Sequence, residues 1–136
     1  MTKKVSTKKE RGLSDSNLLK LRRKVVYSRF NNKCFFCGKS KELEDHHIVK
    51  RKNFLLRYDW RNSILLCKYI CHQYAETPEG KHKIDKFIEP YRNYLQARSV
   101  SCKQYFVERG ITRKDFLKTV YAELQGELMK FNDLPF

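Results

Sequence analysis

CFFCG at residues 34–38 and CKYICH at residues 67–72 decide how this chain folds. Each segment carries two cysteines close together, and a glycine directly follows the first pair. Two thiolates separated by two or three residues reach one ion across a tight turn, and the glycine supplies the backbone angles that turn requires. Cys34, Cys37, Cys67 and Cys71 together offer four sulfurs, enough to close a tetrahedral structural zinc site. A redox C-x-x-C is the competing reading. It fits poorly, because no βαβ pattern surrounds the first pair and a second pair is present.

Between the two pairs lies EDHHI, residues 44–48. In isolation, adjacent histidines after an acidic pair describe an ordinary surface turn. The surroundings argue otherwise. LEDHHIV, residues 43–49, has Leu43 and Ile48 flanking polar residues with no helical period, which predicts a strand of a hairpin. RNSILLC, residues 61–67, is rich in branched apolar residues and predicts a second strand or the approach to a helix. His72 follows Cys71 and falls on the first turn of any helix starting there. A zinc staple would fix that helix against the hairpin and bring His46, His47 and His72 together. The expected class is α+β: a small zinc-stapled core of a hairpin and a helix, with flanking helices.

Outward from this module the pattern is helical. Ser14 or Asp15 can cap a helix carrying Leu18, Leu21, Val25 and Val26, which should end near Phe30, where Asn31 and Asn32 supply turn chemistry. ETPEG, residues 76–80, reads as a break. Beyond it Ile84, Phe87, Ile88 and Tyr91 keep a helical period, restarted at Pro90. Gly110 suits a helix C-terminus, and Thr112 with Asp115 resembles a capping box. The last helix carries Phe116, Leu117, Val120, Tyr121, Leu124 and Leu128 on one stripe, the usual mark of a packing face. The resulting division is a flexible basic arm over 1–13, a core with its preceding helix over 14–80, and a helical extension over 81–136. Cys102 reads as a free thiol, His82 as a surface residue and Trp60 as a packing residue.

Thirty Lys and Arg against 15 Asp and Glu give a formal net charge of +15 over 136 residues. That excess points to a polyanion, since each neutralised phosphate releases condensed counterions. No apolar run approaches membrane-spanning length, and MTKKVSTKKERG lacks the apolar region of a secretory signal. The expected setting is cytoplasmic and reducing, which suits metal-bound or free cysteines rather than disulfides.

The order C-x-x-C, DHHIV, N-x-x-L-L-C and CH, over residues 34–72, resembles the HNH endonucleases with a zinc-bound ββα-metal core. The resemblance implies a ββα-metal, treble-clef-like form for the core, and metal-dependent hydrolysis of DNA phosphodiester bonds. It makes His47 the general base, His46 and His72 the ligands of a catalytic Mg²⁺ or Mn²⁺, and Asn62 the residue that holds the loop carrying the base. Lys50, Arg51 and Arg57 are the nearest cations for flanking phosphates. Two departures stand out: Lys50 replaces the proline of many members, and CKYICH has one residue more than the usual C-x-x-C-H. Asp45 competes with His46 for the metal, and Glu76, four residues after His72, is a candidate extra ligand. A looser similarity, through His47, Arg51, Arg57, Asp59 and Asn62, is to phage recombination nucleases of the NinG/Rap type. It implies branched or recombination DNA as substrate and a phage source. The competing readings are a zinc-stapled nucleic-acid-binding module that never cuts, and a protein-interaction adaptor using the C-terminal stripe. The sequence leaves oligomeric state open.

Overall fold

The computed structural model describes residues 13–132, so the basic arm expected over 1–13 lies outside the described residues except for Leu13, which is buried. The first helix, α1, spans Asp15–Arg29 and starts as expected: the Ser14 side chain accepts a hydrogen bond from Asn17 N. Phe30 closes it, and Asn31 and Asn32 follow at φ 54° and 55°, the left-handed region that asparagine tolerates. The next elements are strands β1 (Leu43–His47) and β2 (Ser63–Cys67), separated by two single-turn 3₁₀ segments at Phe54–Leu56 and Trp60–Asn62. Of the two readings of RNSILLC, the strand is correct. The strands pair antiparallel, with His46 opposite Ile64 and His47 opposite Ser63.

β2 is the centre of the molecule. Ser63, Ile64, Leu65 and Leu66 are all fully buried, because α1 covers one side of the strand and α2 (Ile70–Ala75) the other. A strand covered on both faces has no polar alternation, which is why SILLC alone did not separate strand from helix. Val26 of α1, Leu43 of β1 and Ala75 of α2 complete the core around it.

ETPEG is a corner rather than a linker. α3 (Pro78–Ile88) starts two residues after α2 ends, with Thr77 as its cap accepting from Gly80 N at 3.1 Å and Pro78 in its first turn. Gly80 is buried there, and a β-carbon on it would lie 2.0 Å from the Tyr74 carbonyl oxygen. Backbone cannot yield as a flexible side chain would. Gly80→Ala is therefore expected to lower stability by about 1–3 kcal/mol, despite alanine's better helix propensity, as urea denaturation would measure.

Pro90 sits in a 3₁₀ turn (Glu89–Tyr91) that separates α3 from α4 (Arg92–Ala97). α5 (Cys102–Arg109) ends at Gly110 with φ 59°, and α6 (Arg113–Asn132) opens with the expected reciprocal cap between Thr112 and Asp115. The stripe on α6 is spent inside the protein. Leu124 is buried with Leu18, Val25 and Tyr58, while Phe116 packs with Leu55 and Tyr105. Leu117, Val120, Tyr121 and Leu128 are partly buried against the same clusters, which leaves an adaptor only the outer part of that stripe. No helix among the described residues is long and apolar enough to cross a membrane.

Candidate active site

Cys34 and Cys37 lie on the turn after α1, Cys67 closes β2, and Cys71 stands in the first turn of α2. One sulfur from each meets the others within 4.8 Å, the arrangement of a four-thiolate metal centre. The turn between the first two is the expected one: Gly38 has φ 73°, and its N–H donates to the Cys34 carbonyl oxygen at 3.0 Å. The extra residue in CKYIC is accommodated, because Cys71 still reaches the other three. Burial tends to raise the Cys34 thiol, but N–H groups of Cys37, Cys67 and Phe36 outweigh it and bring it down to about 7. Burial and the three neighbouring cysteines push Cys71 up instead. Sulfurs converging in this way suit a cation, which would favour the thiolate at all four.

A second donor cluster is built from β1 and α2. Side chains alternate along a strand, so Glu44 and His46 share one face, while Asp45 and His47 share the other. On the first face Glu44, His46 and His72 bring one ligand atom each within 4.8 Å. The His46 and His72 rings are 5.2 Å apart between centroids and nearly perpendicular. His72 Nδ1 hydrogen-bonds to Glu44 Oε1, which fixes the imidazole and leaves Nε2 for an ion. Burial, then the nearby His72, lowers the pKa of His46 and keeps its lone pair available. Glu44 is a donor that the sequence reading passed over. Glu76 acts on His46 electrostatically but is exposed and stands outside the three-donor group.

Asp45, the rival ligand, is occupied elsewhere. Arg22 Nη1 lies 2.6 Å from Asp45 Oδ2, and Arg23 Nε lies 3.4 Å from Oδ1. Arg22 is fully buried, and burial lowers its pKa to about 10 against the opposing pull of Asp45, so the guanidinium stays charged near neutrality.

His47 Nε2 lies 2.9 Å from the Arg57 carbonyl oxygen. A carbonyl only accepts, so Nε2 carries the proton in the neutral ring and Nδ1 presents the lone pair. Burial, followed by the positive charge of Arg22, holds the His47 pKa down to about 4, so the imidazole is neutral at physiological pH. Asn62 supports the loop on which this depends. It is fully buried, its Oδ1 accepts from Val49 N at 2.6 Å, and its Nδ2 donates to the carbonyls of Val49 and Leu56 at 2.9 and 3.2 Å. Asn62→Ala would strip the Val49 N–H and carbonyl of these partners, while the Leu56 carbonyl keeps its bond from Asp59 N. The expected cost is about 2–4 kcal/mol in a denaturant titration.

Both histidine faces open into one cleft of about 820 Å³. Lys50, Arg51 and Lys52 line it from the loop after β1, Arg23 from α1, and Lys68 from the start of the α2 turn. Arg57 does not line it. Its guanidinium pairs with Asp15 at 3.0 Å, and its contribution to the site is the carbonyl that holds His47. Asp59 and Trp60 are likewise structural in this geometry: Asp59 caps a 3₁₀ turn and accepts from Tyr94, and Trp60 packs against Arg29 and Tyr91. Cys102 is half-buried on α5 and His82 is exposed on α3.

Compared with known families, residues 34–77 match the HNH endonuclease model, a segment that contains both donor clusters, His47 and Asn62. No curated protein and no solved structure matches the chain.

Proposed function

We propose that this chain is a metal-dependent HNH endonuclease that hydrolyses DNA phosphodiester bonds. The observation that carries the reading is the meeting of a three-donor cluster, Glu44, His46 and His72, with a neutral histidine in one lysine- and arginine-lined cleft. His47 accepts through Nδ1 the proton of a water aligned with the scissile phosphorus, while its Nε2–H stays on the Arg57 carbonyl. The phosphorus–oxygen bond to the 3′ carbon breaks, leaving 3′ hydroxyl and 5′ phosphate ends. A divalent cation such as Mg²⁺ or Mn²⁺, held by His46 and His72 with Glu44 beside them, would stabilise the charge that develops on the leaving oxygen. Lys50 and Arg51 on one wall and Arg23 on the other hold the flanking phosphates without reading bases. The four cysteines would hold zinc and so keep α2, and with it His72, in register with β1.

Branched DNA belongs to this proposal as a substrate class through the similarity of the run from His47 to Asn62 alone, while the charge of +15 supports a polyanion of any shape. The test is incubation of supercoiled plasmid and of a synthetic four-way junction with Mg²⁺, Mn²⁺ or EDTA. Metal-dependent cutting supports the reading, and preference for the junction assigns the substrate. Binding to both substrates with no cutting under any ion would leave the non-cleaving nucleic-acid module as the answer.

A further inference from the structure

Away from the cleft, three arginines and two tyrosines alternate across the face formed by the second 3₁₀ turn, α4 and α5. Arg61 Cζ lies 4.2 Å from the centroid of the Tyr94 ring, and Arg98 Cζ lies 3.5 Å from the same ring. Arg98 Cζ is also 5.8 Å from the Tyr105 ring, over which Arg109 Cζ lies at 3.7 Å. None of the five lines the cleft.

Two guanidiniums on one ring repel each other, so the arrangement needs negative charge nearby. Asp59 supplies some: its nearly buried carboxylate pairs with Arg61 at 3.3 Å and accepts from the Tyr94 hydroxyl at 2.6 Å. Glu108 approaches Arg109 only at 3.8 Å. Arg98 has no ion-pair partner among the described residues; its Nη1 donates to the Tyr94 carbonyl at 3.3 Å. Arg98 is half-buried and Arg109 exposed, so both remain within reach of a ligand. Stacking occupies the faces of a guanidinium and leaves its edge to hydrogen bonding; with one Arg98 Nη1 N–H on the Tyr94 carbonyl, the remaining in-plane N–H groups can meet a phosphate. The ring also holds the long side chain still, so less rotamer entropy is lost on binding.

We infer that this ladder is a second DNA-backbone site, which grips duplex beyond the stretch held in the catalytic cleft. It rests on the DNA-binding part of the proposed function and not on cleavage. Arg98 and Arg109 would each neutralise a phosphate, while Arg61 and Asp59 anchor the stack.

The test is fluorescence anisotropy in EDTA, with duplexes of about 12 and about 40 base pairs, read across a salt series. For the Arg98→Gln/Arg109→Gln pair, the slope of log affinity against log salt on the longer duplex is expected to fall by about 2, near 0.9 per lost phosphate contact. The advantage of the longer duplex over the shorter should shrink with it. Arg98→Lys/Arg109→Lys should restore the slope while leaving affinity below native, because the charge returns without the stacked fork. A native slope in the glutamine pair, together with a lowered melting temperature, would overturn the proposal and make the ladder a staple between α4 and α5. Absence of cutting by the native chain in a separate nicking assay would count against the nuclease reading and leave the slope result standing.

Discussion

His47→Ala is expected to lower the rate of metal-dependent DNA cleavage by about 10²–10⁴-fold, with DNA affinity and zinc content unchanged. The expectation follows from the protonation state as much as from the position. A histidine held at about 4 is unprotonated throughout the physiological range, so nearly every molecule offers the lone pair. Burial lowers the pKa most and the Arg22 cation adds to this, while the Arg57 carbonyl fixes the proton on Nε2 and so leaves Nδ1 as the basic atom. His47→Gln separates the two jobs of the side chain. It retains an N–H for the Arg57 carbonyl but has no basic nitrogen, so it should fold like the native chain and cut as poorly as the alanine variant. Native-like cutting by either variant would move the base elsewhere in the cleft. Single-turnover rates on a labelled duplex at saturating protein would decide the matter.

The second large effect concerns the cysteine cluster. Cys71→Ser removes a buried sulfur that sits both in the metal centre and in the core beside Ile64 and Leu66. Structural zinc sites contribute on the order of 10–16 kcal/mol of apparent binding free energy, more than the whole stability of most domains of this size. The variant is therefore expected to lose its zinc and its cooperative melting transition together, as colorimetric metal release and circular dichroism would show. A chelator strong enough to strip zinc from the native chain should do the same. Retention of a native melting curve without bound metal would mean that packing alone holds β2 and α2, and the staple reading would fail.

What the sequence made legible was whatever depends on neighbours along the chain. Ser14, Gly110 and the Thr112–Asp115 pair announce helix ends, because capping is a matter of three or four residues. The cysteine spacing and Asn62 were readable because both act through short loops. What stayed hidden depends on parity and on distant packing. Glu44 belongs to the donor cluster because it is two residues from His46 on a strand, a signal present in the sequence once the strand is assigned. Arg22 stands four residues after Leu18 and three before Val25, on the buried stripe of α1; an arginine on such a stripe implies a buried acid, though not which one. Arg57 looked like a phosphate contact by proximity to the histidines. No local rule tells that its side chain would turn toward Asp15, 42 residues earlier.

The packing of α6 on α1 has a consequence for how the protein comes into being. Leu18 and Val25 find their cover at Leu124, roughly 100 residues later, which at ribosomal speeds of about 5–20 residues per second means several seconds of waiting. Over that interval the first helix lacks the part of its cover that α6 supplies, although the cysteines and histidines have already been made. Arg22 rides on that same helix, but its partner Asp45 stands on β1, which is made long before α6. Among the described elements that α1 packs against, α6 is therefore the latest to be made.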